Sequence, residues 1–226
     1  MSRRGDHGVA ETIDARRDRG LGRHLGAREP VVTLRNGASV RLRAIRPDDE
    51  PRLMALCHRL SPRTVYERFF SVRRLRPEEA RAFANVDYRQ RMALVAEVDT
   101  GQEPELIGVA RYGRPDGVTA ADVGLVVEDG WQGLGLGSIL LEEILRAGEQ
   151  RGITQFSADV LTENRRALGL LARHTVITRR TASDGVTSLV FHRPADSSGE
   201  PPTQEGDLWR ADLPLMPPTR GREETP

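Results

Sequence analysis

Gln132-Gly133-Leu134-Gly135-Leu136-Gly137 is the stretch best suited to hold a charged ligand. Its glycines let the backbone turn tightly and let a ligand approach the amides. An apolar run from Val123 to Val127 precedes it and suits a buried strand. Leu136, Leu140, Ile144 and Ala147 follow at helical spacing, with Leu141 and Leu145 beside them. The order is strand, glycine turn, helix. The first N–H groups of a helix have no internal partner and carry partial positive charge. A phosphate or pyrophosphate is their natural guest.

Two common phosphate binders do not fit. A dinucleotide fingerprint needs glycine at its sixth place, where Ser138 stands. A P-loop needs a lysine, and the chain has none. All 34 of its basic residues are arginine, so no side-chain amine is offered to an acylating reagent.

Other candidate residues are few. Asp122 lies on the strand that feeds the glycine turn. It is either a solvent-facing strand residue or an acid set close to the bound ligand. Asn164 precedes a helical pattern and is either its N-cap or a ligand contact. His174 reads as a helix-end residue. Cys57 is the only cysteine, within Leu53-Met54-Ala55-Leu56-Cys57, and reads as a buried, inert thiol. No cluster has metal-ligand spacing.

The elements that must position these residues can be traced in order. Val31 to Leu34 and Ser39 to Ile45 are strand-like, with the hairpin signal Asn36-Gly37 between them. Pro47-Asp48-Asp49-Glu50, Ser61-Pro62 and Pro77-Glu78-Glu79 each open a helix. Met92 to Val98 and Glu105 to Tyr112 read as central strands, and Thr119 to Val127 as the strand before the turn. Gly152 ends the long helix. Ile153 to Leu161 is a strand, Asn164 to His174 a helix, and Val176 to Arg179 with Val186 to His192 a closing hairpin. Residues 63–91 hold eight arginines and four acids, a solvated helical face or a docking surface for an acidic partner.

Composition bounds the rest. The 226 residues suffice for one domain with tails. Residues 1–29 and 195–226 are poor in large apolar groups or rich in proline and acids, and both are expected to be disordered. Leu208, Trp209, Leu213, Leu215 and Met216 form an apolar island in the second tail. Residues 30–194 form the folded domain. A net charge of +1 argues against a general nucleic-acid binder. No run is long enough to span a membrane, so a cytoplasmic protein without membrane or nucleic-acid partners is expected.

Gln132, Gly135 and Gly137, between an apolar strand and an amphipathic helix, resemble the acyl-CoA-binding turn of the GNAT N-acetyltransferases. The resemblance extends from about Val31 to Arg193. Leu42 to Glu50, Leu60-Ser61-Pro62, Tyr66-Glu67-Arg68-Phe69-Phe70, Asp87-Tyr88 and Leu161 to Arg165 are similar to the acetyltransferase domain of bacterial protein lysine acetyltransferases.

This resemblance implies an α/β (α+β) GNAT fold, with a mixed central sheet flanked by helices. It implies acetyl-CoA as co-substrate, without a metal, and a protein substrate bearing a reactive lysine, such as an acyl-CoA synthetase. Its cofactor-binding residues would be Leu125, Val126, Val127, Gln132, Gly133, Leu134, Gly135, Leu136, Gly137, Ser138 and Asn164. Pantetheine would pair with the edge of Val123 to Val127, and an N–H near Leu125 or Val127 would meet the oxyanion. Asp122 stands where the family carries a Glu base, one methylene shorter. Leu171 stands about where many members place a thiolate-protonating Tyr, so no such acid is expected. No synthetase-like or ligand-sensing domain is fused here, so control by one is not expected. Three readings remain open: a protein lysine acetyltransferase, a GNAT enzyme acting on a small amine, and a CoA-binding regulatory domain without turnover.

Overall fold

A computed structural model describes residues 29–101 and 103–195. Nearly all of the two expected disordered tails, and the apolar island at 208–216, lie outside these residues. The strands are β1 (Val31–Thr33), β2 (Ser39–Ala44), β3 (Arg91–Val98), β4 (Glu105–Gly113), β5 (Ala121–Val127), β6 (Phe156–Leu161), β7 (Val176–Ser183) and β8 (Val186–His192). The helices are α1 (Glu50–Arg59), α2 (Pro62–Phe69), α3 (Pro77–Ala84), α4 (Leu136–Glu149) and α5 (Arg165–His174).

One sheet runs in the order β1-β2-β3-β4-β5-β6-β8-β7. Every neighbouring pair is antiparallel except β5 and β6, which are parallel and joined through α4. Helices cover both faces. Leu136, Leu140, Leu141 and Ile144 of α4 pack with Tyr112, Val123 and Phe156 on one. Leu53, Leu56, Val65 and Ala80 of α1 to α3 pack with Val95, Val109 and Val126 on the other. Two covered faces explain why β3 and β4 are almost continuously apolar rather than alternating.

The local signals act as their chemistry predicts. Asn36 accepts from the Ala38 amide and Gly37 has φ +84°, which closes the first hairpin. Ser61 caps α2 by accepting from the Thr64 amide. Three strand boundaries differ from expectation by two residues or more. β5 begins at Ala121 rather than Thr119, β6 at Phe156 rather than Ile153, and β7 extends to Ser183. Ile153 is instead a buried core residue just beyond the turn at Gly152.

The feature that builds the site is a failure of pairing. β4 and β5 stay paired from Gly108↔Val127 to Gly113↔Asp122. β5 and β6 pair only at Ala121↔Phe156 and Asp122↔Ser157. Beyond Asp122 the two parallel strands part, and a sheet interior acquires an open edge.

Candidate active site

The glycine turn hangs from the end of β5. A short 3-10 turn, Asp129–Trp131, follows the strand. Asp129 is a hub there, accepting from the Ser61 amide at 2.9 Å, the Ser61 hydroxyl at 2.7 Å and the Thr64 hydroxyl at 2.8 Å. Burial pushes the Asp129 carboxyl up, but these donors outweigh it and hold the pKa below the usual range. The start of α2 is therefore tied to the start of the turn.

Gln132 faces the protein more than a ligand. Its Nε2 donates to the Val127 carbonyl at 3.0 Å, and Arg166 donates to its Oε1. From the other side, the Arg35 amide donates to the Leu134 carbonyl at 3.2 Å. The turn is thus held by its carbonyls and by Gln132. Its amides are left over. Among the described residues, none of the amides from Gly133 to Gly137 donates a hydrogen bond. Ser138 is the first whose amide does, to the Gly135 carbonyl at 3.1 Å.

Gly133 and Gly135 have φ of +79° and +99°, a region closed to most side chains. A Cβ at Gly133 would meet nothing within 4 Å. Gly137 differs from what the alternating pattern suggests. It has ordinary helical geometry, and its Cβ would face inward, 3.7 Å from Leu170 and 3.8 Å from Leu125. Free amides at the start of a fourteen-residue helix, around two open glycines, fit a diphosphate.

The open edge of β5 has a definite parity. The Ala121 amide donates to Gln155, on the β6 side, and the Glu128 amide to Ile107, on the β4 side. With a period of two, the backbone groups of Val123, Leu125 and Val127 point into the cleft. Those of Asp122, Gly124 and Val126 point to β4. Of the residues named from the sequence as ligand contacts, Leu125 and Val127 present their amides there. Val126 does not; its backbone is taken up by β4 and its side chain is buried. The Val127 carbonyl is already bonded to Gln132.

Side chains of β5 alternate the other way. Asp122, Gly124 and Val126 share the α1–α3 face with Arg111, the register partner of Gly124. The Asp122 side chain is exposed and has no hydrogen bond or ion pair among the described residues. Burial pushes its carboxyl above the usual range, against the pull of Arg68 and Arg111, and Asp159 adds to the push. A group that is open to solvent yet displaced from bulk water on most sides sits in a cleft. An acid of raised pKa there can take a proton from an incoming group near neutral pH.

Two residues of this cleft escaped the sequence reading. Arg68 was one of eight arginines on a mixed-charge helical stretch, and Arg111 one residue in an apolar strand. Most of that stretch is indeed solvated and paired: Arg63 with Glu67, Arg73 and Arg76 with Glu79, Arg81 with Glu50, and Arg91 with Asp87. Arg68 instead turns inward, as one face of a helix anchored at Asp129 must. Glycine at 124 within an apolar strand was the available signal, since strand glycines mark a close approach.

The remaining candidates lie on α5. Asn164 is the N-cap, its Oδ1 accepting from the Ala167 amide at 3.0 Å. Its amide nitrogen is the part left for a ligand. Leu171 is buried and supplies no hydroxyl. His174 bonds Glu142 through Nδ1 at 2.8 Å, a helix-end contact. Cys57 is buried and its thiol is pushed up to about 11 by burial, despite Arg68, so it is no nucleophile at neutral pH. Among the described residues, no group of three or more His, Cys, Asp or Glu is placed to hold a metal, and no helix is long and apolar enough to cross a membrane.

The chain is similar to known proteins. Residues 60–175 match the acetyltransferase (GNAT) family. The chain is 28% identical over 164 residues to an acetyltransferase of Pseudomonas aeruginosa, covering 72% of this chain and 87% of that one. It is 32% identical over 134 residues to acetyltransferase Pat of Mycolicibacterium smegmatis, covering 59% of this chain but only 40% of Pat. The crystal structure of the GNAT domain of S. lividans PAT is 32% identical, with a TM-score of 0.65 over 73% of this chain and 96% of that domain.

Proposed function

The chain belongs to the acetyltransferase (GNAT) family, and from that membership we propose that it transfers an acetyl group from acetyl-CoA to a lysine ε-amine of a protein substrate. One observation carries the reading: β5 parts from β6 next to a turn whose amides are unpaired, and Asp122 stands where the two strands separate. The amides of Gly133 to Gly137 suit the pyrophosphate. The edge at Val123, Leu125 and Val127 suits the amides of pantetheine, as an added strand would. Acetyl-CoA supplies the activated acyl group. The segments from Leu42 to Glu50 and from Tyr66 to Phe70, and the likeness to Pat, support a protein acceptor, for which an acyl-CoA synthetase is a candidate.

This chain's residues would act as follows. A lysine amine is mostly protonated at neutral pH and cannot attack until it loses a proton. Asp122 takes that proton, directly or through one water, and passes it to solvent; the amine then forms the C–N bond to the thioester carbonyl, and its remaining excess proton leaves to Asp122 or water as the C–S bond breaks. The Leu125 amide donates to the carbonyl oxygen as charge develops on it. The free amide nitrogen of Asn164 holds the pantetheine arm across the cleft. Leu171 offers no proton to the departing thiolate, which leaves as the anion or is protonated by water.

Labelled acetyl-CoA incubated with the protein and a cell lysate tests the proposal. Labelled protein bands support it. Label confined to small molecules indicates a small-amine acetyltransferase. Tight CoA binding without any transfer indicates a regulatory domain.

A further inference from the structure

We propose that Arg68 and Arg111 form an anion subsite in the acceptor cleft, which selects acceptors bearing a carboxylate near the reacting amine; this rests on the acetyl-transfer reading above. The two guanidiniums share the sheet face of Asp122. Arg111 is opposite Gly124, and Asp122 is two residues away on the same strand. Arg68 lies against Gly124 itself: a Cβ there would stand 2.2 Å from Arg68 Nη2. Asp122 and Gly124 are separated by about 7 Å along the strand. An acceptor could therefore present its amine at Asp122 and its carboxylate over Gly124.

Neither guanidinium has a hydrogen-bond acceptor or ion-pair partner among the described residues. Each lies over an aromatic ring: Arg111 stands 4.2 Å over Phe83, and Arg68 5.2 Å over Phe69. Leu53, Cys57, Leu75, Val109 and Val126 complete an apolar surround. Burial pulls both guanidinium pKa values down, with the two cations repelling one another at Arg111, which falls to about 10. A guanidinium keeps its proton at neutral pH inside a protein, so both are treated as cations. Two cations in an apolar cleft, facing the single carboxylate of Asp122 without a hydrogen bond to it, are costly for folding alone. Five of the eight arginines in that stretch, Arg63, Arg73, Arg76, Arg81 and Arg91, form ion pairs on the surface, whereas Arg68 turns into the cleft.

Charge counting gives the same answer. Arg68, Arg111 and ionised Asp122 sum to +1. A plain ammonium would enter against that field, whereas an amine carrying a carboxylate is drawn by it. Arginine forks match a carboxylate, and low dielectric strengthens the contact. In a protein the carboxylate would be an acidic side chain beside the target lysine. In a small molecule it would be the acceptor's own carboxylate.

The test compares acceptors that differ only in that charge. One pair is 6-aminohexanoate and its amide. The other is lysine peptides with Glu, or with Gln, next to the lysine. CoA release gives kcat/KM for each. The acidic member should be preferred by about tenfold to a hundredfold, the range of a charged hydrogen bond. In Arg68→Gln and in Arg111→Gln the preference should fall toward one. Preference for the acidic peptides places the carboxylate in a protein. Preference for 6-aminohexanoate with peptides unused keeps the subsite and overturns the protein-acceptor reading. Equal use of acidic and neutral members overturns the subsite while leaving acetyl transfer standing. If no acceptor turns over, calorimetry of the CoA-loaded wild-type protein with 6-acetamidohexanoate and its amide decides. Equal or absent binding of the acid overturns the subsite, and selective binding supports it.

Discussion

Arg68 occupies the space that a side chain at residue 124 would need. A Cβ on Gly124 would stand 2.2 Å from Arg68 Nη2 and 2.7 Å from its Cζ. Gly124 is not at positive φ, so sterics toward Arg68, rather than backbone conformation, make glycine necessary there. The pair joins α2 to the strand bearing Asp122. Its geometry reaches the glycine turn as well, because Asp129 anchors both.

Gly124→Ala should therefore displace Arg68 without unfolding the protein, since the clashing atoms end a flexible side chain. Acceptor KM should rise by about tenfold or more, the loss of one charged contact, while acetyl-CoA affinity holds. Steady-state kinetics beside calorimetry checks this. An unchanged acceptor KM would separate Arg68 from acceptor binding.

Asp122→Asn keeps size and removes the base. Turnover should fall by about 10²–10⁴-fold with acetyl-CoA affinity unchanged. Asp122→Glu should be tolerated or faster, because it extends the reach of the acid. Wild-type activity of Asp122→Asn across about pH 6–9 would assign the proton to water or another residue.

The pH profile has a definite sign. In the proposed mechanism Asp122 acts as the carboxylate, so the rate should rise with pH through its elevated pKa. Arg68 opposes that elevation by favouring the charged form. Arg68→Gln should move the rising limb to higher pH. A limb that stays in place or moves down contradicts the assignment.

Gly135 and Gly137 should respond differently. Gly135→Asp forces a side chain into φ +99° and sets a negative charge at the turn, so acetyl-CoA binding should be lost with the fold retained. A Cβ at Gly137 makes only ordinary contacts with Leu170 and Leu125, so Gly137→Ala should cost less than about tenfold in affinity, which is 1.4 kcal/mol. Calorimetric titration with acetyl-CoA and circular dichroism of both variants would show whether the amides or mere glycine content matter.

Arg43 holds a buried network away from the site. It donates to Asp49 at 2.6 and 2.8 Å and to Glu97 at 2.7 and 3.0 Å, with all three residues buried. Arg43→Met removes the main partner of two buried carboxylates, which keep only the partly exposed Arg52 and Arg41, and should cost about 3 kcal/mol. Burial pushes Asp49 up, but Arg43, the Arg46 amide and Arg52 outweigh it and hold the carboxyl below the usual range. A depressed pKa stabilises above the ordinary aspartate range and is lost as pH falls through the lowered value. Wild type should thus lose stability below about pH 4 more steeply than Arg43→Met. Chemical denaturation at pH 7 and pH 3 measures both effects.

Self-acetylation should stop at one amide. The chain has no lysine, so only its α-amino group can accept. Intact-mass spectrometry after long incubation with acetyl-CoA should show at most one stable acetyl group. Two amide-linked acetyls would contradict the sequence.

Local order determined what the sequence could reveal. Strand, glycine turn and helix lie within Val123 to Glu149, so the proposed phosphate site is written contiguously. The same holds for the caps at Ser61 and Asn164, whose partners lie three residues away. Both alternatives for Asn164 rested on this contiguity, and the structure assigns its Oδ1 to the cap. Asp122 was legible because it precedes the turn on the same strand.

Tertiary structure decided the rest. Strand parity relative to β6 admits Leu125 and Val127 to the cleft and excludes Val126, which no one-dimensional pattern specifies. Gln132 turned out to brace the turn through Val127. Arg68 and Arg111 are 43 residues apart in the chain and meet only because α2, pinned at Asp129, lies across the β4–β5 pair. A run of arginines carries the same charge whether solvated or turned inward. The inward direction of Arg68 is set by packing of distant elements, and that information exists only once the chain has folded.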